Sequence, residues 1–163
     1  MKQFVPLFER AANRIRPALR SHELEVEAGS WLGSSALKVQ KRRWTQPKAN
    51  PNDPHAGIFF SVWVEPKGLK KKQAFYNIHA LHLPSLNAYA LQSRELAEAF
   101  RARFARQKAG WPNVSVDFGP QTLMQGWIPF DESKLEQDAV KLIHRFVPLS
   151  DLIDELLEKR RRA

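Results

Sequence analysis

Ile58-Phe-Phe-Ser-Val-Trp-Val64 and Ala74-Phe-Tyr-Asn-Ile-His-Ala-Leu-His-Leu83 are two apolar runs, separated by the charged connection Glu65-Pro-Lys-Gly-Leu-Lys-Lys-Lys72. Both runs are rich in β-branched and aromatic residues, which favour strands, and the connection contains the Pro and Gly that favour a turn. The sequence therefore predicts a β-hairpin over residues 57–83. Apolar side chains fall on both faces of each arm, which predicts central strands that are covered on both sides.

Further strands are predicted on either side of this hairpin. Over residues 22–28, three glutamates alternate with Leu24 and Val26, the two-residue period of a strand with one face in solvent. A neighbouring strand is predicted over 37–44, and its Lys and Arg side chains are expected to form ion pairs with the glutamates. Short strands are predicted at 114–118 and 122–128.

Helices are predicted before and after the strands. Apolar residues over 4–16 have the i, i+3, i+4 spacing of an amphipathic helix, and Pro17 predicts a break or a kink there. Ser93 is a suitable N-cap for a helix that reaches about residue 108. Ser133-Lys-Leu-Glu136 matches the capping box of a further helix, which Pro148 is expected to divide in two.

The predicted fold class is α+β, because hairpin-length connections favour an antiparallel meander with the helices packed on it. We expect one domain over residues 1–163, with about four main strands, two short ones, and N-terminal, middle and two C-terminal helices. A chain of this length buries roughly 68–70% of its unfolded surface. A hydrophobic core of that size needs no covalent cross-link.

Composition excludes several classes of protein. Hydrophobic residues make up 43% of the chain and there is no cysteine, so disulfides and thiolate chemistry are excluded and a reducing compartment is favoured. The N-terminus lacks the apolar run of a secretory leader, and no stretch approaches the roughly 20 apolar residues of a membrane span. These features predict a cytoplasmic protein without a membrane partner.

The strongest compositional signal is the net charge of +9. It is unevenly distributed, since residues 1–72 carry 14 Lys and Arg against 6 Asp and Glu, and residues 73–163 carry 12 against 11. A positive field of this kind favours encounters with polyanions, nucleic acid above all. We therefore predict, as the first functional hypothesis, a non-enzymatic module that binds nucleic acid or another polyanion.

Three basic segments are the candidates for that contact. Positive charge follows a phosphate backbone, and an aromatic ring stacks on a base, so a basic run that ends in Trp suits a single-strand binder. The alternative is a solvated strand end and a charged hairpin tip that discourages edge aggregation. The candidate residues are Arg42, Arg43, Trp44, Lys67, Lys70, Lys71, Lys72, Arg94, Arg101 and Lys108.

Two other hypotheses remain open. A small-ligand or enzymatic pocket could lie between the 57–83 hairpin and the aromatic segment 111–127, with His79 or Asp117 as its polar group. The pocket candidates are Trp63, His79, Trp111, Asp117 and Trp127. An accessory protein could instead meet a partner or a second copy through its C-terminal helices, which an exposed stripe of Leu152 and Leu156 would indicate.

No catalytic motif or cofactor site is recognisable. P-loop, nucleophile-elbow, dinucleotide-binding and zinc-protease patterns are all missing from the sequence. His79 and His82 point to opposite faces of a strand, so they do not predict a metal site. Asp53 and Glu65-Pro-Lys67 mimic the acids and lysine of a metal-dependent nuclease, but Pro66 disfavours the strand that such a site requires. Whether the protein is an enzyme stays open.

Overall fold

The computed structural model describes residues 1–48, 50–52 and 55–163, which form four α-helices and a six-stranded antiparallel sheet. This confirms the predicted α+β class. Asp53 lies outside the described residues. The elements are α1 (Val5–Arg20), β1 (Glu25–Trp31), β2 (Ser34–Gln40), β3 (Thr45–Gln46), β4 (Ala56–Val64), α2 (Pro66–Lys70), β5 (Gln73–Leu81), α3 (Ser93–Phe104), β6 (Thr122–Pro129) and α4 (Glu132–Glu158).

The predicted hairpin is confirmed as the centre of the sheet. The strand order is β1-β2-β4-β5-β6, and the short β3 also pairs with β4. Ser61 lies opposite Asn77 in the middle of the β4–β5 pair. The connection is not a simple turn, because α2 fills it and packs Gly68 against the ring of Phe75, where a Cβ atom would clash.

The three long helices α1, α3 and α4 pack on one face of the sheet and form the core with it. At its centre, the rings of Phe60 in β4 and Phe146 in α4 stack with centroids 4.6 Å apart. Phe146 also meets the edge of the buried Trp44 ring at 6.1 Å. These contacts join the sheet to α4.

Neither proline breaks its helix, so the division predicted at Pro148 is wrong and no break occurs at Pro17. Helix α1 continues through Pro17, and α4 runs through Pro148 as one helix of 27 residues instead of two. A proline removes one backbone hydrogen bond of the helix. In α1 the buried Ile15 and Leu19 lie on either side of the proline, so burial of the apolar stripe offsets the missing bond. Residues on both sides of Pro148 are buried in the same way, including Phe146 and Leu149.

Other boundaries differ from the prediction, including that of β1, which covers Glu25–Trp31 instead of residues 22–28. Strand β2 ends at Gln40 and is followed by a 3-10 turn over Arg42–Trp44. The predicted helix to residue 108 ends at Phe104. The strand predicted at 114–118 is reduced to one bridge between Ser115 and Gln125, because only that residue pairs with the edge of β6.

The face of the sheet opposite α1, α3 and α4 is named the open face. Its side chains alternate with those of the core along every strand, as the pleat requires. Trp63, Phe75 and Trp127 on this face are half-buried, whereas the neighbouring core residues Val62, Tyr76 and Ile128 are buried. The hairpin was predicted to be covered on both faces, but the structure covers fully only the face that packs against the helices.

Candidate functional site

Three aromatic side chains lie side by side on the open face and are named the aromatic row. Trp63 in β4 lies opposite Phe75 in β5, which lies opposite Trp127 in β6. The rings of Trp63 and Phe75 are stacked, with centroids 5.5 Å apart and planes at 28°. Phe75 is held against Gly68 of α2, so the two flanking indoles present the remaining aromatic surface.

A polar row runs beside the aromatic row. Ser61 donates a 2.7 Å hydrogen bond to Oδ1 of Asn77, and the Asn77 amide lies 3.3 Å from Oε1 of Gln125. The same amide nitrogen lies 3.0 Å from Nε2 of His79. Ser61 and Asn77 are buried, so these bonds satisfy polar groups that would otherwise destabilise the sheet.

His79 belongs to this network and is not a free base. Burial lowers its pKa, and the nearby Lys38 ammonium lowers it further. The Asn77 amide nitrogen donates to Nε2 of the ring, while a hydrogen bond from the ring to the backbone of Gln121 opposes the fall in its pKa. Its ring packs on Phe59 at a centroid distance of 4.9 Å. With both polar contacts satisfied, His79 supports the sheet.

Lys38 brings a partly enclosed positive charge to the open face. Its Nζ lies 4.2 Å from the ring centroid of Trp31 and 5.0 Å from that of Phe59, within the range of cation–π attraction. The Trp31 ring reaches this position because Gly29 below it has no side chain. Burial lowers the pKa of Lys38, while Glu27 opposes that shift.

One end of the sheet, named the tip end, collects exposed basic and apolar residues. The β1–β2 turn and the β4–β5 connection both lie there, since Trp31 pairs with Ser34 and Ser35 pairs with Val64. The exposed lysines of the β4–β5 connection, named the tip lysines, have no ion pair among the described residues. They are Lys67, Lys70, Lys71 and Lys72.

Arg42, Arg43 and Trp44 have structural partners instead. The Asp154 carboxylate in α4 accepts hydrogen bonds from Lys41 Nζ at 2.6 Å, Arg43 Nη2 at 2.9 Å and Trp44 Nε1 at 2.8 Å. Although burial alone would raise the pKa of Asp154, these three donors lower it. Trp44 is fully buried, so its ring cannot stack on a base.

The ion pairs predicted for the first two strands are confirmed. Arg42 Nε lies 2.9 Å from Oε1 of Glu25, and Arg43 Nη1 lies 2.6 Å from Oε2 of Glu23. Both arginines follow β2 in the 3-10 turn, so the pairs form just beyond the strand. Their charge is partly neutralised within the protein, which leaves less of it for a polyanion.

The third basic segment lies on the helix side of the sheet. Arg101 donates to the carbonyl groups of four residues before and within β6, at 2.8–3.2 Å. It therefore fixes the loop that leads into β6. Arg94 and Lys108 are exposed, but they belong to α3 and the turn after it, away from the aromatic row.

The pocket candidates divide between the two faces. Trp63, His79 and Trp127 lie on the open face, whereas Trp111 is buried on the core side, 5.3 Å from the ring of Tyr76. Asp117 lies on an exposed loop. The structure thus does not bring these five residues into one pocket.

The apolar stripe of α4 is part of the core. Leu152 is 5% exposed and Leu156 is 4% exposed. The exposed stripe that would indicate a partner or a second copy at the C-terminal helix is not observed at these residues.

Sequence reasoning missed Phe75, Lys38 and Trp31 as members of the site. A signal was available for Phe75, because the hairpin register places it opposite Trp63. Trp31 and Lys38 meet only after β1, β2 and β4 are aligned, and the small size of Gly29 allows the contact. The sequence pattern does not show how these three strands are aligned with one another.

Comparisons with known proteins do not assign this site. No protein-family model, curated protein or solved structure matches the chain. Across the described ranges, no helix combines the length and apolar character needed to cross a membrane. In that same part of the chain, no group of three His, Asp or Glu side chains is arranged to hold a metal ion.

Proposed function

We propose that this protein is a cytoplasmic, non-enzymatic module that binds single-stranded nucleic acid on the open face of its sheet. The observation that carries the proposal is the aromatic row of Trp63, Phe75 and Trp127. Its half-buried rings lie on three adjacent strands, next to the exposed tip lysines.

Stacking supplies one part of the affinity. Each base that stacks on an aromatic side chain contributes about 1–3 kcal/mol, and stacking tolerates any base because every base has a π-face. Trp63 and Trp127 flank Phe75, which is itself held by Gly68 of α2. Two rigid indoles set two strand spacings apart, about 10 Å, can each take a base from one extended strand.

Positive charge supplies the other part of the affinity. Helix α2 approaches the open face through Gly68 and Phe75, so the tip lysines border the aromatic row. Phosphates of a strand whose bases lie on Trp63 and Trp127 would meet these ammonium groups. The net charge of +9 adds a long-range field that speeds encounter.

The geometry favours unpaired bases over a duplex. Bases in a double helix are stacked on each other and expose only their edges, so their faces are not free to stack on the indoles of the aromatic row. The basic segment over Arg42–Trp44, which the sequence suggested as the contact, is engaged with Glu23, Glu25 and Asp154. The proposal therefore moves the interface to the open face.

The test is titration of fluorescein-labelled oligothymidylate with the wild-type protein at several salt concentrations. We expect log Kd to rise linearly with log salt, because bound counterions are released. A triple variant, Lys70→Gln, Lys71→Gln and Lys72→Gln, should reduce that slope by about 0.7 for each phosphate that is no longer neutralised. The matched control removes three exposed charges on the helix side: Arg94→Gln, Arg106→Gln and Lys108→Gln.

The aromatic contribution is tested separately with Trp63→Leu and Trp127→Leu. Each should weaken binding by about 1–3 kcal/mol while leaving the salt slope unchanged. Thermal melts of each variant show whether the fold is intact. If wild-type protein fails to bind oligothymidylate at low salt, the proposal is wrong. If both Trp variants bind as well as wild type, any affinity is for charge alone and the open face is not the interface.

A further inference from the structure

Leu32 is the most exposed large apolar residue of the described chain, and it is at the tip end. Its relative exposure is 106%, and the only other exposed large apolar side chain in the described ranges is Phe118, at 40%. Leu32 and Gly33 form the two-residue turn between β1 and β2. Trp31, beside it, belongs to the open face through its contact with Lys38.

The turn is one that leucine fits poorly. Leu32 has φ +50° and Gly33 has φ +78°, as in the type I′ turn of two-residue hairpins. Asn and Gly adopt positive φ at lower cost than a branched apolar residue. Leu32 therefore carries both backbone strain and complete exposure without any packing contact that would offset them, and such a combination points to function.

The position of Leu32 relates it to the aromatic row. Counting strands, Trp127 in β6 and Trp31 in β1 are four spacings apart, about 19 Å. The aromatic row covers about half of that distance. Trp31 thus lies two spacings beyond Trp63, the same interval that separates Trp63 from Trp127, so an extended strand that places bases on the aromatic row can continue to the tip end beside Leu32.

Resting on the proposed function, we infer that Leu32 is a second contact for the same single strand, packing on a base beyond those that the aromatic row holds. The strand crosses the sheet from β6 to β1, with its bases on the open face and its phosphates beside the tip lysines. Apolar side chains of this kind are known to pack against or between bases. The complete site then takes a longer segment than the aromatic row alone.

The experiment compares wild type with Leu32→Asn over oligothymidylates of about two to about twelve nucleotides. Asn suits the turn, so the melting temperature of this variant should be unchanged or higher, which separates a binding role from a folding role. Affinity for the longest oligonucleotides should fall about tenfold, since most of the burial of one leucine is removed. Affinity for the shortest ones should not change.

The control is Phe118→Asn, which removes the other exposed large apolar side chain of the described residues, at the opposite end of β6, and should leave every affinity unchanged. Equal binding by wild type and Leu32→Asn at all lengths overturns the inference but leaves the proposed function standing. An equal loss at all lengths also overturns it, because Leu32 is then part of the first contact. Failure of the wild type to bind any oligothymidylate overturns the proposed function itself.

Discussion

Replacing Asp154 by Asn is expected to destabilise the protein strongly, because one carboxylate is the shared partner of three side chains. From α4 it holds Lys41, Arg43 and Trp44, which follow β2 directly. It is one link, beside the Trp44–Phe146 contact, between the segment after the second strand and the C-terminal helix. Asn keeps the size of the side chain but cannot neutralise the Lys41 ammonium.

The magnitude follows from burial. The Lys41 side chain is 5% exposed and that of Asp154 is 24% exposed, so the variant leaves an ammonium group buried without its anion. Removing one partner of a buried pair costs about 3–5 kcal/mol. Because Asp154 is partly exposed and Arg43 keeps Glu23, we expect the lower end, about 3 kcal/mol. For a domain of this size that lowers Tm by about 6–12 °C.

The assay is urea unfolding followed by Trp fluorescence. Asp151→Asn is the matched control, because Asp151 is an exposed carboxylate one turn earlier in α4 and experiences a similar helix dipole. It should change the free energy of unfolding by less than about 0.5 kcal/mol. In a Lys41→Met background, the cost of Asp154→Asn should fall by at least half, since no buried ammonium is left unpaired.

Acid titration gives a second test of the same contact. The folded pKa of Asp154 is lowered, so its contribution to stability is complete above the unfolded pKa, near 4, and disappears as pH falls through the folded value. The gap in stability between wild type and Asp154→Asn should therefore narrow below about pH 4. This account would be refuted if Asp154→Asn lowered the free energy of unfolding by less than about 1 kcal/mol at neutral pH, or by as much in the Lys41→Met background as in the wild type.

Two further predictions concern Tyr76. Gly126→Ala should lower the free energy of unfolding in urea by about 1–3 kcal/mol, because its Cβ would meet the Tyr76 hydroxyl and lie 2.8 Å from the Pro112 carbonyl oxygen. Gly119→Ala places its Cβ in open space and should cost under half of that free energy. Equal losses in the two variants would contradict the packing argument. Burial raises the pKa of Tyr76, so the contribution of its neutral hydroxyl to stability is complete below the unfolded pKa near 10 and disappears as pH rises further. Tyr76→Phe should therefore flatten the fall in stability between about pH 9 and about pH 11. An unchanged pH profile would show that Tyr76 does not resist ionisation.

Much of the sheet could be predicted from local pattern. The alternation of apolar side chains and the Pro-Gly connection were enough to place the hairpin over 57–83, which forms β4 and β5. The glutamates of the first strand correctly predicted basic partners after the second. These features depend on residues close in sequence or on adjacent strands.

The errors arose where distant packing outweighs local preference. Pro17 and Pro148 predict breaks because each removes a hydrogen bond, yet both helices continue because their apolar stripes are buried by other elements. No short window of sequence contains that burial. Burial against the core, and not the position of the prolines, therefore determines how far these two helices extend.

The candidate site was predicted only in part. Trp63, Trp127 and the tip lysines were singled out, but local sequence could not tell that Arg43 and Trp44 meet Asp154, 110 or more residues away. It also could not tell which face of an apolar hairpin the helices would leave uncovered. The sequence therefore indicated residues of the candidate site but not the arrangement that brings them together.

The late position of α4 in the chain has a consequence for biosynthesis. All six strands of the sheet are translated before this helix, and its Phe146 packs on both Phe60 and Trp44 at the centre of the core. At about 5–20 residues per second, its 27 residues take roughly one to five seconds to synthesise. Until α4 is available, Phe60 and Trp44 lack the ring that covers them in the folded protein, so chaperones that hold apolar surfaces have their greatest opportunity to act before α4 packs on the sheet.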